Sequence, residues 1–130
     1  MGITLFTTFS GRIGRLHWWV GNLILLAAQL AAGVVLGIVL GVGLIVAGYH
    51  FNNPATFDNA VDGISIIAWL VFLLPTWALY AKRLHDRGKS VKWMLLFLVP
   101  VIGWLWLLVE LGFLRGSEGP NQYGPDPLAG

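Results

Sequence analysis

The sequence has no cysteine and few charged side chains, and both absences narrow what the protein can be. Without cysteine, the chain forms no disulfide and carries no thiolate nucleophile or Cys-based zinc or iron–sulfur site. Charged residues make up 11% of the 130 residues and hydrophobic residues 57%. A soluble domain carries about 25% charged residues. The composition therefore predicts a chain that is solvated mainly by lipid.

Basic residues are absent from a long central stretch, because no Lys or Arg lies between Arg15 and Lys82. Seven of the eight basic residues lie at positions 12–15 and 82–92, next to long apolar runs. Short loops rich in Lys and Arg remain cytoplasmic, since their translocation is unfavourable. We therefore expect a multi-pass protein with a cytoplasmic N-terminus. Because the cations flank apolar runs, we expect no nucleic-acid partner despite a sequence pI of about 9.3.

Three apolar segments predict the fold. A helix needs about 20 residues to cross a hydrocarbon core of ~30 Å, and residues 18–48, 63–81 and 93–114 are candidates. We predict an all-α integral membrane protein, a three-helix transmembrane bundle within a single domain of residues 1–116. Residues 50–62 are rich in turn formers and predict an external loop. Residues 117–130 predict a polar Gly/Pro tail.

The third segment allows an alternative. Pro100 and Gly103 lie near its middle, so it is either a kinked span or a re-entrant hairpin. A span places the tail outside the cell, whereas a hairpin returns it to the cytoplasm.

The first segment contains a ridge of small residues. Gln29, Gly33, Gly37 and Gly41 are spaced four apart and lie on one helix face. Such a face lets another helix approach closely. We expect it to pack within the chain, with a homo-oligomer contact as the alternative.

Glu110 is the only acidic residue within an apolar run. Ionisable residues inside a membrane are functional candidates by default. Since Glu110 lies near the end of its segment, we expect it to extend towards water or to pair with Arg115 or, in the three-span model, with His50. Were the protein a transporter, Glu110, Asn22 and Gln29 would line an aqueous path.

The two basic blocks predict one polar cluster of Arg12, Arg15, Arg83, His85 and Asp86, in which Asp86 pairs with Arg12 or Arg15. His17, His85 and Asp86 are potential metal donors, but no i, i+4 pair fixes their geometry. Ser90, His85 and Asp86 are sequence neighbours, whereas the members of a catalytic triad converge from distant parts of a fold. We therefore expect no metal site, no cofactor and no catalytic residue.

Three blocks of this sequence resemble those of the domain of unknown function 805 family, a group of small bacterial inner-membrane proteins. Residues 9–15 read FSGRIGR, and Trp18 and Trp19 follow; residues 83–90 read RLHDRGKS; residues 119–127 read GPNQYGPDP. The resemblance implies a location in the bacterial inner (plasma) membrane. It implies no established activity and transfers no catalytic residues.

Three classes of function fit these expectations. The favoured one is an interaction or accessory module whose basic cytoplasmic face contacts anionic lipid headgroups or a membrane protein partner. The alternatives are a subunit of a channel or transporter and an enzyme acting on a lipid phosphate. The enzyme requires the two basic blocks to meet in one pocket.

Overall fold

The computed structural model describes residues 3–46 and 54–129 of the chain, and the regular elements of these ranges are helices. The elements are α1 (Thr4–Thr7), α2 (Arg15–Val46), α3 (Pro54–Asp86), a 3-10 helix (Val91–Leu98), α4 (Ile102–Leu108) and a π-helical turn (Val109–Phe113). Across these two ranges, the only β-type pairing is an antiparallel bridge between Asn121 and Gly124. The predicted all-helical class is confirmed for this part of the chain.

The second long helix extends beyond its predicted bounds at both ends. α3 begins at Pro54, so residues 54–62 are helical and not the loop that their turn formers predict. Proline suits a first helical position because it has no N–H to leave unpaired there. At the other end, residues 82–86 form the last turn of α3, where Arg83 and His85 complement the helix dipole. Residues 47 and 48 of the first predicted span and 50–53 of the predicted loop lie outside the described residues.

One compact unit spans Leu25–Leu73 and contains parts of α2 and α3. Its apolar side chains are mostly exposed, as shown by Leu30, Val34, Val35, Ile38, Val39, Val42, Ile66, Ile67 and Leu70. An apolar surface of this extent suits a lipid environment or a partner.

The glycine ridge has open space beside it among the described residues. A β-carbon added to Gly33, Gly37 or Gly41 would meet no described atom within 4 Å. Gln29, on the same ridge, is exposed. The described residues therefore leave room beside these glycines, and glycines of this kind let another helix approach closely.

The other compact unit comprises Met1–Ile24 and Leu74–Gly130. Its core is formed by Trp18, Ala78, Leu79, Ala81, Leu84, Met94, Leu107 and Leu111, all at most 6% exposed. Gly21 lets α2 approach α3, since a β-carbon at this position would lie 2.7 Å from Cδ1 of Leu79. The Trp18 and Tyr80 rings meet edge to face, with centroids 5.3 Å apart. The start of α2 and the end of α3 are thereby held together.

The third apolar segment is not a continuous helix. It runs as the 3-10 helix to Leu98, turns through Pro100 and Val101, and returns as α4. Val101 has φ +64°, an unfavourable conformation for a β-branched residue. The Trp93 and Trp106 rings stack with centroids 5.0 Å apart, so the two arms lie side by side. The two arms therefore form a hairpin, and the predicted three-helix transmembrane bundle is not confirmed, because the described residues contain two helices long enough to cross a membrane.

Gly103 allows this reversal. A β-carbon on Gly103 would overlap the backbone carbonyl of Leu96. The Trp104 indole donates a hydrogen bond to the Phe97 carbonyl at 2.9 Å. Because proline lacks an N–H and glycine lacks a side chain, Pro100 and Gly103 suit a tight turn between the two arms.

Candidate functional site

Asp86, the last residue of α3, lies at the centre of a buried ion-pair network. Its Oδ1 accepts hydrogen bonds from Nε and Nη2 of Arg12 at 3.2 and 3.0 Å. Its Oδ2 accepts from Nη1 of Arg83, one helical turn earlier. The Asp86 side chain is 3% exposed, so both contacts are shielded from water. Asp86 thus neutralises part of the charge of two buried arginines.

Arg12 connects the N-terminal segment to the C-terminal tail. Its Nη1 donates to the carbonyl of Gly119 at 2.7 Å and to that of Gly124 at 3.3 Å. Its Nη2 donates to the Ser117 carbonyl at 2.7 Å as well as to Asp86. A guanidinium has five N–H donors. Five hydrogen bonds from Arg12 lie within the chain, so this arginine has no donor left for a ligand.

Arg83 secures the returning arm of the hairpin. Its Nε donates to the Leu111 carbonyl at 2.7 Å and its Nη2 to the Leu114 carbonyl at 2.5 Å. A longer contact of 3.5 Å joins Nη1 to the Ile13 carbonyl. The side chain is fully buried. Because buried charges require partners, these contacts make Arg83 a structural joint between the end of α3 and residues 111–114.

The tail closes over His85. The imidazole stacks on the Tyr123 ring with centroids 3.9 Å apart and an interplanar angle of 7°. On its other side, Nδ1 lies 3.3 Å from the Gly11 carbonyl. Nδ2 of Asn121 donates to the His85 carbonyl and to Oγ of Ser117, both at 2.9 Å. These contacts bring residues from all three sequence blocks into one cluster.

Asp126 shapes the end of the tail. Its carboxylate accepts hydrogen bonds from the backbone N–H of Leu128 at 2.9 Å and of Gly119 at 3.0 Å. The bond from Leu128, followed by the weaker effect of Gly119, holds the pKa of Asp126 below its ordinary value. The ionised carboxylate therefore favours this turn.

A second ionic group surrounds Glu110. Oε1 of this acid lies 2.8 Å from Nε of Arg87 and 3.0 Å from Nζ of Lys89. The Lys89 ammonium also lies over the Trp93 and Trp106 rings, 4.5 and 4.2 Å from their centroids. These contacts replace the pairing with Arg115 that the sequence suggests, because the hairpin returns Glu110 to the end of α3. His50, the other suggested partner, lies outside the described residues. Arg115 pairs instead with Glu118 at 3.1 Å.

Arg15 lies outside the Asp86 network. It is exposed, and its Nη1 donates to the Phe113 carbonyl at 2.9 Å. Nearby, Nε1 of Trp19 donates to the Gly112 carbonyl at 3.1 Å. The start of α2 is therefore attached to the π-helical turn by two side chains.

Lys82 is a buried cation, although the sequence predicts for it only a place among the basic residues on the cytoplasmic side. It is 5% exposed, and its ammonium donates to the carbonyls of Thr4 and Leu5 in α1. Among the described residues, no carboxylate lies within 4.0 Å of it. Beside it lies a shallow pocket of about 270 Å³ lined by Thr4, Leu5, Ser10, Gly11, Arg12, Ile13, His17 and Lys82.

The remaining candidates do not form a recognisable chemical centre. Asn22 donates to the Trp18 carbonyl at 2.8 Å, so its amide is used within α2. Within residues 3–46 and 54–129, no three His, Asp or Glu side chains come together as ligands for a metal ion. The structure thus brings Arg12, Arg83, His85 and Asp86 together, with Arg15 at the periphery.

The tail residues of this cluster are absent from the set that sequence reasoning selects. Ser117, Asn121 and Tyr123 make specific contacts there. Asn121 and Tyr123 belong to the third sequence block, residues 119–127, whereas Ser117 precedes it. Turn-forming composition alone does not show where a tail docks.

Comparisons with known proteins agree with the sequence blocks. The profile of the family described as protein of unknown function (DUF805) matches residues 6–125, so the predicted family is confirmed. Inner membrane protein YhaH of Escherichia coli K12 is 34% identical over 122 residues, which cover 94% of this chain and 88% of YhaH. Inner membrane protein YhaI of the same strain is 34% identical over 125 residues, covering 96% and 90%. The uncharacterized protein YiiR is 31% identical over 144 residues, covering 92% and 85%. No solved structure matches the chain.

Proposed function

The chain belongs to the DUF805 family, and on that premise we propose that it is a multi-pass protein of the bacterial inner membrane that acts as an accessory or interaction module. Its cytoplasmic face carries the basic residues and contacts anionic lipid. The observation behind this proposal is that Arg12 and Arg83 donate their hydrogen bonds to the chain itself, which makes the cluster a structural joint, whereas Arg15 and Lys92 are exposed and can contact anionic lipid.

Exposure of the long helices supports a membrane location. α2 (Arg15–Val46) and residues 61–86 of α3 are long and apolar enough to cross a bilayer. In the most apolar 18-residue stretch of each helix, 6% and 17% of the residues are buried. The core helix of a soluble protein would be mostly buried. Two relatives are also named as inner membrane proteins. We infer that lipid covers these two helices.

Charge placement supports one orientation. Every Lys and Arg of the chain lies at residues 12–15, 82–92 or 115. With two crossings and a hairpin that does not cross, all of these residues lie on one side, which the positive-inside rule assigns to the cytoplasm. We therefore propose that the N-terminus and the tail are both cytoplasmic, which replaces the three-span arrangement with an external tail.

The enzyme alternative has less support. An enzyme acting on a lipid phosphate would need arginine donors directed at its substrate. The two basic blocks do meet, but all five donors of Arg12 bind protein acceptors. Arg83 likewise donates to Asp86 and to backbone carbonyls. An arrangement of this kind stabilises a fold and leaves little for transition-state binding.

The transport alternative also has less support. Glu110 is compensated by two cations, Arg87 and Lys89, and is 5% exposed. An acid that carries ions across a membrane must exchange them with an aqueous path. Because two protein cations already occupy the carboxylate, we propose a structural role for Glu110.

For protein partners, we propose the ridge of Gln29, Gly33, Gly37 and Gly41. Its glycines are open to approach, and such surfaces suit the close packing of a second helix in lipid. The occupant would be another copy of this chain or a different membrane protein.

Cysteine accessibility tests the proposed arrangement, since the natural chain contains no cysteine. Single cysteines at Ser10, Ser90 and Glu118 should react with a membrane-impermeant thiol reagent only after the cells are opened. A cysteine at the exposed Asn59 is the matched control and should react on intact cells. Labelling of position 118 on intact cells would show that the tail lies outside the cytoplasm and would contradict the proposal.

A further inference from the structure

The buried end of the molecule carries more positive than negative charge. Lys82, Arg12 and Arg83 are all buried there, and Asp86 is the only carboxylate bonded to any of them among the described residues. A charge removed from water is costly unless an opposite charge accompanies it. Arg12 and Arg83 share Asp86, whereas the Lys82 ammonium contacts only backbone carbonyls among the described residues. No carboxylate of these residues balances its positive charge, so an anion beside Lys82 would be stabilised.

The shallow pocket beside Lys82 is where such an anion would fit. Its lining includes Lys82 and Arg12, together with Ser10 and His17, whose side chains make no hydrogen bond within the described residues. The first turn of α2, where His17 lies, contains no acidic residue to balance the helix dipole. Among the described residues, this pocket thus combines positive charge with unused donors.

We propose that this pocket binds the phosphate group of an anionic phospholipid. An ammonium has three N–H donors, and Lys82 uses two on the carbonyls of Thr4 and Leu5. The third donor, the Ser10 hydroxyl and the His17 ring are available to a phosphate. Phosphate oxygens accept from several directions at once, which suits donors from separate elements better than a planar carboxylate does.

The surroundings favour a lipid over a soluble phosphate. Ile3, Phe9 and Leu16 are neighbours of the pocket residues in sequence, and they are 79%, 42% and 72% exposed. Apolar side chains beside a headgroup site can contact acyl chains, while basic residues contact the phosphate. The inference rests on the proposed function, because it requires this end of α2 and α3 to lie at the cytoplasmic lipid interface.

A purely structural role for Lys82 gives a different expectation. By capping the α1 carbonyls, Lys82 would act through hydrogen bonds, and a neutral amide could replace it. A phosphate site requires the positive charge itself. Lys82→Gln separates these roles because it keeps a donor and removes the charge, and Lys92→Gln is the matched control at an exposed position outside the pocket.

Binding to the purified full-length chain in an uncharged detergent tests the proposal. Phosphatidylglycerol is added, and bound lipid is counted by native mass spectrometry, with phosphatidylcholine as the uncharged comparison. We expect phosphatidylglycerol to bind more tightly than phosphatidylcholine. Lys82→Gln should lower the affinity for phosphatidylglycerol about tenfold, as expected for the loss of one charged contact. Lys92→Gln should change this affinity less than about twofold.

Two further measurements complete the test. His17→Ala removes an exposed side chain that makes no hydrogen bond within the described residues, so we expect the fold to be kept. The affinity for phosphatidylglycerol should nevertheless fall. Inorganic phosphate at millimolar concentration identifies the source of the ligand: competition supports a soluble phosphate in the same pocket, and its absence supports the lipid. An equal loss of affinity in Lys82→Gln and Lys92→Gln, or no preference for phosphatidylglycerol over phosphatidylcholine, would contradict the proposed phosphate site. Cysteine labelling tests the topology separately, so the two proposals fail independently.

Discussion

Gly116 leaves no room for a side chain beside Asp86. A β-carbon at this position would overlap both carboxylate oxygens of Asp86, which are themselves held by Arg12 and Arg83. The tail therefore passes the ion-pair network at a distance that only glycine permits.

Gly116→Ala should consequently destabilise the protein by about 1–3 kcal/mol, because neither the backbone nor the fixed carboxylate can move without breaking hydrogen bonds. Unfolding in mixed micelles with increasing sodium dodecyl sulfate, followed by circular dichroism, measures the change. Gly63→Ala in α3 is the control, since a β-carbon there meets nothing within 4 Å and the position lies off the glycine ridge. We expect it to be neutral or stabilising by up to about 1 kcal/mol. Equal effects of the two substitutions would contradict the packing described here.

Asp86→Asn should cost more, about 3–5 kcal/mol, because it leaves two buried guanidinium groups without a counter-ion. The control is Glu118→Gln, which breaks an exposed pair with Arg115 whose side chains are 65% and 76% exposed. Such a pair contributes about 0–1 kcal/mol. Comparing the detergent unfolding of the two variants tests the claim. Similar stability of both would show that the Asp86 network contributes little.

Val101→Gly should stabilise the hairpin by about 1 kcal/mol, because glycine accepts the positive φ of 64° that strains valine. Little burial is lost, since Val101 is 61% exposed. Gly103→Ala should act in the opposite direction through overlap with the Leu96 carbonyl. The order of unfolding midpoints, Val101→Gly above wild type and Gly103→Ala below it, is the measurement. The reverse order would argue for the alternative of a kinked third span.

Glu110→Gln should lower stability by about 1–2 kcal/mol and leave ion flux unchanged. The carboxylate is buried, but Arg87 and Lys89 are each 25% exposed, so water screens part of the loss. Proteoliposomes containing a pH-sensitive dye report proton flux, and detergent unfolding reports stability. A variant that folds normally but loses a flux present in the wild type would support the transport alternative.

The tail turn should weaken in acid. Since hydrogen bonds from Leu128 and Gly119 lower the pKa of Asp126, folding of the turn gains stability from the ionised carboxylate. That gain is complete above the unfolded pKa of about 3.9 and disappears as pH falls through the lower folded pKa. Carboxyl carbon shifts in NMR spectra should give a midpoint for Asp126 below that of the isolated tail peptide. A midpoint equal to the peptide value would refute the contacts.

Some elements of the cluster are predictable from the sequence. Arg12 and Asp86 stand in two basic blocks that flank apolar runs, and opposite charges at the ends of adjacent helices are expected to pair. The hydrogen bonds from Arg12 to Ser117, Gly119 and Gly124 are not predictable in this way. They depend on the tail lying on the same side, which in turn depends on the hairpin.

The partners of Glu110 illustrate the same limit. Arg115 is five residues away in sequence, whereas Arg87 and Lys89 are separated from Glu110 by the whole hairpin. Local spacing favours the near pair, and the chain reversal at Pro100 makes the distant pair. Lys82 is similar, because its burial under α1 has no signature in composition or period.

The amino-acid sequence by itself determined the membrane character, the helical class, the family and the uneven placement of cations. Membrane character and helical class follow from the free energy of moving each residue from water to lipid, together with the need to pair backbone groups there. The family follows from short motifs that can be read directly from the sequence. Tertiary structure alone decided the reversal of the third segment, the docking of the tail and the surplus charge around Lys82. Each of these arises from contacts between residues far apart in sequence, where steric fit and the pairing of buried charges select one arrangement.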